Sequence, residues 1–187
     1  VEDGTLPDSV ATFQQIENVI LGSGNDSVIG SGGDDSVSTG AGADTVDGGA
    51  GNDSFDLGSD GDADLVRLDD GDGNDSISGF DLPTDNGDGT FTGIDLLDVS
   101  GLTDAGGDPV NVNDVTVGDD GNGNAVLTFP NGESLTLIGV APAAVTDPAV
   151  LVAMGIPGET LDFIVEGTAG AEVIDVTYAG DPDGDMI

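Results

Sequence analysis

The sequence predicts an all-β chain: a coil of short repeated strands, an antiparallel β cap and one short helix. Three observations point that way. First, aspartates recur nine residues apart at Asp26, Asp35, Asp44 and Asp53, with an apolar residue two places after each (Val28, Val37, Val46, Phe55) and a glycine two places before (Gly24, Gly33, Gly42, Gly51). Self-similarity at a fixed period is the signature of stacked units that share one core. Second, the runs VNVNDVTV (110–117), NAVLTF (124–129) and ESLTLIGV (133–140) alternate or cluster apolar residues as strands do. The connections DDGNG and PNG between them carry the Asn and Gly of hairpin turns. Third, of 38 acidic residues only Glu2, Glu17, Glu133, Glu159, Glu166 and Glu172 are glutamate, so a turn former dominates over a helix former.

One basic residue, Arg67, stands against those acids, giving a formal net charge of −37 over 187 residues. Nucleic acid is excluded as a partner, because nothing would neutralise its phosphates, and anionic membrane surfaces are disfavoured. A compact state of this charge repels itself unless cations enter it. With no Cys and no His, disulfides, thiolate sites and zinc-type ligation are all unavailable. No apolar run approaches the roughly 20 residues of a membrane span, so no membrane insertion is expected, and the opening residues do not read as a charged-then-apolar signal peptide. Val1 in place of Met predicts a processed product or a fragment of a larger protein.

Written out, the repeated units are LGSGNDSVI, GSGGDDSVS, TGAGADTVD and GGAGNDSFD. After wider steps of eleven come SDGDADLVR, with Asp64 and Val66, and DGDGNDSIS, with Asp75 and Ile77. Over residues 21–78 this pattern resembles the RTX nonapeptide G-G-x-G-x-D-x-U-x of haemolysin-type calcium-binding proteins. Asp62 replaces the fourth-position glycine, and Leu21, Ser31 and Thr39 break the leading glycine pair. The resemblance implies a right-handed parallel β-roll with two nonapeptides per turn and an ion between stacked turns. Asp26 then pairs with Asp44, Asp35 with Asp53, Asp44 with Asp64 and Asp53 with Asp75. It also implies export by type I secretion from a bacterium, and an extracellular or cell-surface location.

The physics of one unit agrees with a metal. Its first six residues form a turn whose glycines open backbone conformations closed to other residues and gather carbonyl oxygens on one side. The sixth-position Asp aims a carboxylate into that cluster, and the eighth-position residue faces the interior by strand alternation. Donors that are all oxygen, and negative in sum, suit Ca²⁺ with its flexible shell rather than Mg²⁺. The expected ligand set is Asp26, Asp35, Asp44, Asp53, Asp64 and Asp75, with Gly24, Gly33, Gly42 and Gly51 shaping the main chain around several Ca²⁺ ions. Six inward side chains are few for such a coil, so metal binding is expected to supply folding free energy.

Residues 1–20 read as a lead-in or capping segment, 21–79 as the coil, 80–158 as the β-rich cap and 159–187 as a C-terminal strand and partial repeat. A short helix near 147–155 is expected, with Asp147 as cap, Pro148 in the first turn and Gly155 at the end. GTAGAEVID (167–175) repeats the nonapeptide form with Glu172 in the aspartate place, and DPDGDMI (181–187) opens another. LVAMGIP (151–157) resembles the approach to Hint self-processing domains, but Gly158 stands where their Cys would follow. The clusters DGDAD, TDNGDG, GDDGNGN and DPDGD lack the spacing and final Glu of an EF-hand and read as solvated turns. Serines have no His or Lys to activate them, and the carboxylates lie in hydrated or metal-binding turns, so no enzyme is expected. The favoured function is a secreted calcium-binding structural or adhesive module, self-associating head to tail. The alternative is the C-terminal folding and secretion module of a larger exoenzyme.

Overall fold

The computed structural model describes residues 10–12 and 18–158. The units expected at 167–175 and 181–187, and most of the lead-in, lie outside them. Because six of nine residues are taken by a turn, each repeat leaves room for a strand of about three. The coil strands are β1 (Val10–Thr12), β2 (Val19–Ile20), β3 (Ser27–Ile29), β4 (Ser36–Ser38), β5 (Thr45–Asp47) and β6 (Ser54–Asp56). The two wider steps end in longer strands, β7 (Leu65–Asp69) and β8 (Asn74–Ser78).

Successive strands alternate between two sheets. One runs β1-β3-β5-β7, the other β2-β4-β6-β8, and every pairing within the coil is parallel. Register is set by the inward residue. Val28 faces Val46 and Val46 faces Val66 in one sheet, while Val37 faces Phe55 and Phe55 faces Ile77 in the other. All six are fully buried, as β-branched and aromatic side chains on the inner face of a sheet require. A slip of one residue would turn the whole column outward.

Two of the departures from the glycine pair have a packing reason. Leu21 and Thr39 lead alternate units, Leu57 stands just ahead of the fifth, and all three are buried and thicken the core at one corner of the coil. At the other corner the leading residues are Gly30 and Gly48. A Cβ on Gly48 would overlap the Asp53 carboxylate and crowd the Phe55 ring.

The coil then continues into the cap without a break in either sheet. After the small hairpin β9 (Thr84–Asp85) and β10 (Phe91–Thr92), strand β11 (Leu96–Gly101) pairs in parallel with β7 and sets Leu97 against Val66. Strands β12 (Thr116–Asp119), β13 (Ala125–Thr128) and β14 (Ser134–Leu137) form an antiparallel meander, and β14 pairs in parallel with β8, placing Leu137 on Ile77. The run expected as a strand over 110–117 contributes only its end. Residues 111–114 instead bond locally, Asn111 N–H to Asp114 Oδ2 and Asn113 N–H to Asn111 Oδ1, both at 2.9 Å. Such side-chain bonds compete with a ladder, so the alternation marks the buried Val110 and Val112 rather than a strand.

A 3₁₀ turn (Pro142–Ala144) leads to α1 (Pro148–Ala153). Asp147 Oδ1 caps the helix by accepting from Ala149 N–H at 2.9 Å, and Gly155 leaves it at φ 100°. Val150, Leu151 and Met154 are buried, and the Leu97 N–H donates to the Met154 carbonyl at 2.7 Å, so the chain after the helix closes part of the free edge of β11.

Truncating the inward column should be costly. In calcium-saturated buffer, Phe55→Ala should lose about 3–5 kcal/mol of unfolding free energy by denaturant titration, and Ile29→Ala, on the exposed face of β3, within about 0.5 kcal/mol of nothing.

Candidate metal centre

Each sixth-position aspartate stands where a turn becomes a strand, and the carboxylates of Asp44, Asp53, Asp64 and Asp75 reach one turn back along the coil, whereas Asp35 Oδ2 accepts from the N–H and hydroxyl of Ser31 in its own turn. On one side the Asp26 N–H donates to Asp44 Oδ1, and the Asp44 N–H to Asp64 Oδ1, both at 2.8 Å. On the other, the Asp35 N–H donates to Asp53 Oδ1 and the Asp53 N–H to Asp75 Oδ1, again at 2.8 Å. The structure thus brings together the four aspartate pairs expected from the sequence, in two columns, with all six residues buried. Gly24, Gly42 and Gly51 take φ values of 127, 116 and 153°, and a Cβ on Gly42 would strike the Gly24 carbonyl. Gly33 is the exception of the four: it is exposed, with open space around it.

The first column extends one rung further than the sequence reading took it. The Asp64 N–H donates to Asp95 Oδ1 at 3.0 Å, and Asp95 Oδ2 accepts from Asp81 N–H at 2.6 Å. A signal was present, since Gly93, Asp95 and Leu97 reproduce the glycine–aspartate–apolar spacing. The intervening 79–92 segment, with its β9–β10 hairpin, hides the period. The second column stops because Leu135 faces Asp75 across β14 and β8.

Only one oxygen of each rung is spoken for by the neighbouring amide. Asp44 Oδ2 and Asp53 Oδ2 are buried and accept no hydrogen bond. Burial, with help from neighbouring carboxylates, pushes Asp53 up to about 6 and Asp64 and Asp75 up to about 7. Asp44 and Asp95 are raised for the same first cause. The basic side chain is spent elsewhere: Arg67 Nε meets Asp98 Oδ2 at 3.4 Å on a half-exposed face, where an ion pair contributes little. Buried anions without a countercharge are what a cation site looks like before the ion is counted. Among the described residues no three acidic side chains converge, so an ion here also needs main-chain oxygens, a donor set that suits Ca²⁺.

Residues 20–55 match the RTX calcium-binding nonapeptide repeat in four copies. Over those residues the coil carries RTX repeats, and its two parallel sheets are consistent with a β-roll. A search of curated proteins returned no match. The match ends at Phe55, whereas the β-roll geometry runs on through Asp64, Asp75 and Asp95.

Other aspartate-rich turns are satisfied by their own chain. Asp120 accepts from the N–H groups of Asn122 and Asn124 and from both side-chain amides, which hold its carboxyl far below the usual range. Asp85 takes the Gly87 N–H, and Asp88 the N–H and hydroxyl of Thr90. DPDGD lies outside the described residues. Among these residues no helix is long and apolar enough to cross a membrane.

The raised carboxylates set a pH dependence. Between an ordinary value of 3.8 and the values near 6 to 7 reached in the fold, the native state holds more protons than the unfolded chain. Stability in chelator should therefore grow as pH falls through that window and be lost as it rises again. Far-UV circular dichroism in chelator should show β content increasing from about pH 7.5 to about pH 4.5, and a flat or falling signal would overturn this assignment.

Proposed function

We propose that the chain is a secreted calcium-binding structural or adhesive module that folds when it meets Ca²⁺ outside the cell. The observation that carries this is the pair of buried aspartate columns with orphaned oxygens at Asp44 and Asp53, while the basic side chain Arg67 is paired with Asp98 instead. Asp26, Asp35, Asp44, Asp53, Asp64 and Asp75 are the proposed carboxylate ligands, Asp95 extends the set, and carbonyls of the glycine turns complete each shell. Calcium supplies positive charge and coordination; the chain's own residues supply spacing, exclusion of bulk water and a preset direction for each carboxylate.

Folding and binding are then one process. Without the ion, self-repulsion in the columns opposes a core of short strands. Extracellular calcium modules bind at roughly 10⁻⁴–10⁻³ M, so the chain stays unfolded at cytosolic calcium and folds after export. No catalytic role is part of this reading. Parallel strands at a coil end leave unpaired edges that accept further strands, so head-to-tail association between copies is the proposed assembly.

The test is a calcium titration of the full chain. Far-UV circular dichroism should change from disordered to β between chelator and millimolar Ca²⁺, and light scattering at high Ca²⁺ should show species larger than one chain. Equal β content under both conditions would remove the coupling of folding to binding. A strictly monomeric population would remove the assembly.

A further inference from the structure

The second aspartate column ends where Leu135 takes the aspartate place opposite Asp75. Two residues earlier, on the turn between β13 and β14, stands Glu133, and only 9 % of it is exposed. Its Oε1 accepts from the Gly71 N–H at 2.9 Å, which sets the carboxylate against the turn joining β7 to β8. Its Oε2 is buried and accepts nothing. Beside Gly71 lies Asp72, 8 % exposed, whose Oδ2 accepts from the Asp69 N–H at 2.5 Å. Burial raises the Asp72 carboxyl, and Asp69, Asp47 and Glu133 press negative charge on it as well. Asp70 of the same turn is occupied elsewhere, by the N–H and hydroxyl of Thr103.

Two nine-tenths-buried carboxylates, one with an orphaned oxygen, therefore face one turn with no basic group beside them. Desolvated anions in this arrangement require a countercharge. We propose that Asp72 and Glu133 hold a further Ca²⁺ at the seam between the last turn of the β-roll and the cap. The pair is not a sixth-position rung, since Asp72 stands at the third place of its unit and Glu133 lies outside any repeat, although Asp72 is near enough to Asp53 and Asp75 to press negative charge on both. All-oxygen donors of net negative charge select a hard divalent cation. Bound there, the ion ties the β13–β14 turn to the β7–β8 turn, at the rung where the repeat itself offers leucine. The proposal rests on the calcium reading above, but its failure is separable from that reading's.

The experiment counts calcium ions on the full chain by native mass spectrometry, with Ca²⁺ alone as probe, for the parent protein, Glu133→Gln, Asp72→Asn and, as a column comparison, Asp44→Asn. Glu133→Gln keeps the acceptor for Gly71 and removes the charge. It should bind one ion fewer while reaching the parent's β content in saturating Ca²⁺. Asp72→Asn should do the same, and the double variant should lose no second ion. An unchanged count and affinity in both single variants, with the count lowered in Asp44→Asn, overturns the seam site and leaves the columns standing. Failure of both single variants to fold in saturating Ca²⁺ assigns the pair to the fold alone and also overturns it. A parent chain that binds no calcium overturns both readings.

Discussion

The bond from a main-chain N–H in one turn to an aspartate oxygen in the next is the contact on which the rest of this molecule depends. It fixes the axial spacing of the coil and buries the acceptor, and in doing so it stacks like charges in columns. The choice of aspartate follows, since the carboxylate springs from the residue that ends the turn and must meet the neighbouring turn directly. Close approach of the turns demands glycine at Gly42, where a side chain would strike the Gly24 carbonyl, and at Gly48, where it would collide with the Asp53 carboxylate itself. Burial of the rungs, with the neighbouring carboxylates adding to it, outweighs what the amide hydrogen bonds relieve, which is why Asp53, Asp64 and Asp75 cling to protons well above the ordinary carboxylate range.

The cap belongs to the same electrostatic and packing scheme. Leu97 and Leu137 continue the inward columns beyond Val66 and Ile77, so the apolar interior is continuous from coil to cap. On the aspartate side the two columns end differently, one on Asp95 and the other on Leu135. β11 thus adds a rung to its column, whereas β14 replaces a charge with a hydrocarbon and terminates its own.

The coil was legible because its period is carried by chemistry that has few substitutes. Asp26 through Asp75, their inward partners and the eleven-residue steps could all be read before any coordinate, as could the helix between Asp147 and Gly155. What escaped reading was non-local or ambiguous. Asp95 repeats the local spacing but sits 31 residues after its partner, and a gap of that length hides any period. The 110–117 run alternates like a strand because Val110 and Val112 turn inward, while Asn111 between them and Asn113 beyond bond to their own loop. Glu133 gave no sequence signal at all, since a lone glutamate in a hairpin turn is ordinary until its burial is known.

The two wide steps show something about how the coil can change. Between Asp53 and Asp64, and again between Asp64 and Asp75, two additional residues enter a turn, yet Val46 still faces Val66 and Phe55 still faces Ile77. Asp60, within the first enlarged turn, even gains a bond to the Gly42 N–H at 2.9 Å. Because each turn contacts only the turns before and after it, the fold prescribes no fixed length. Duplication or loss of eighteen residues would lengthen or shorten the coil by one turn, a rung in each column, so reach is a property that recombination can adjust while the chemistry of every remaining rung stays the same.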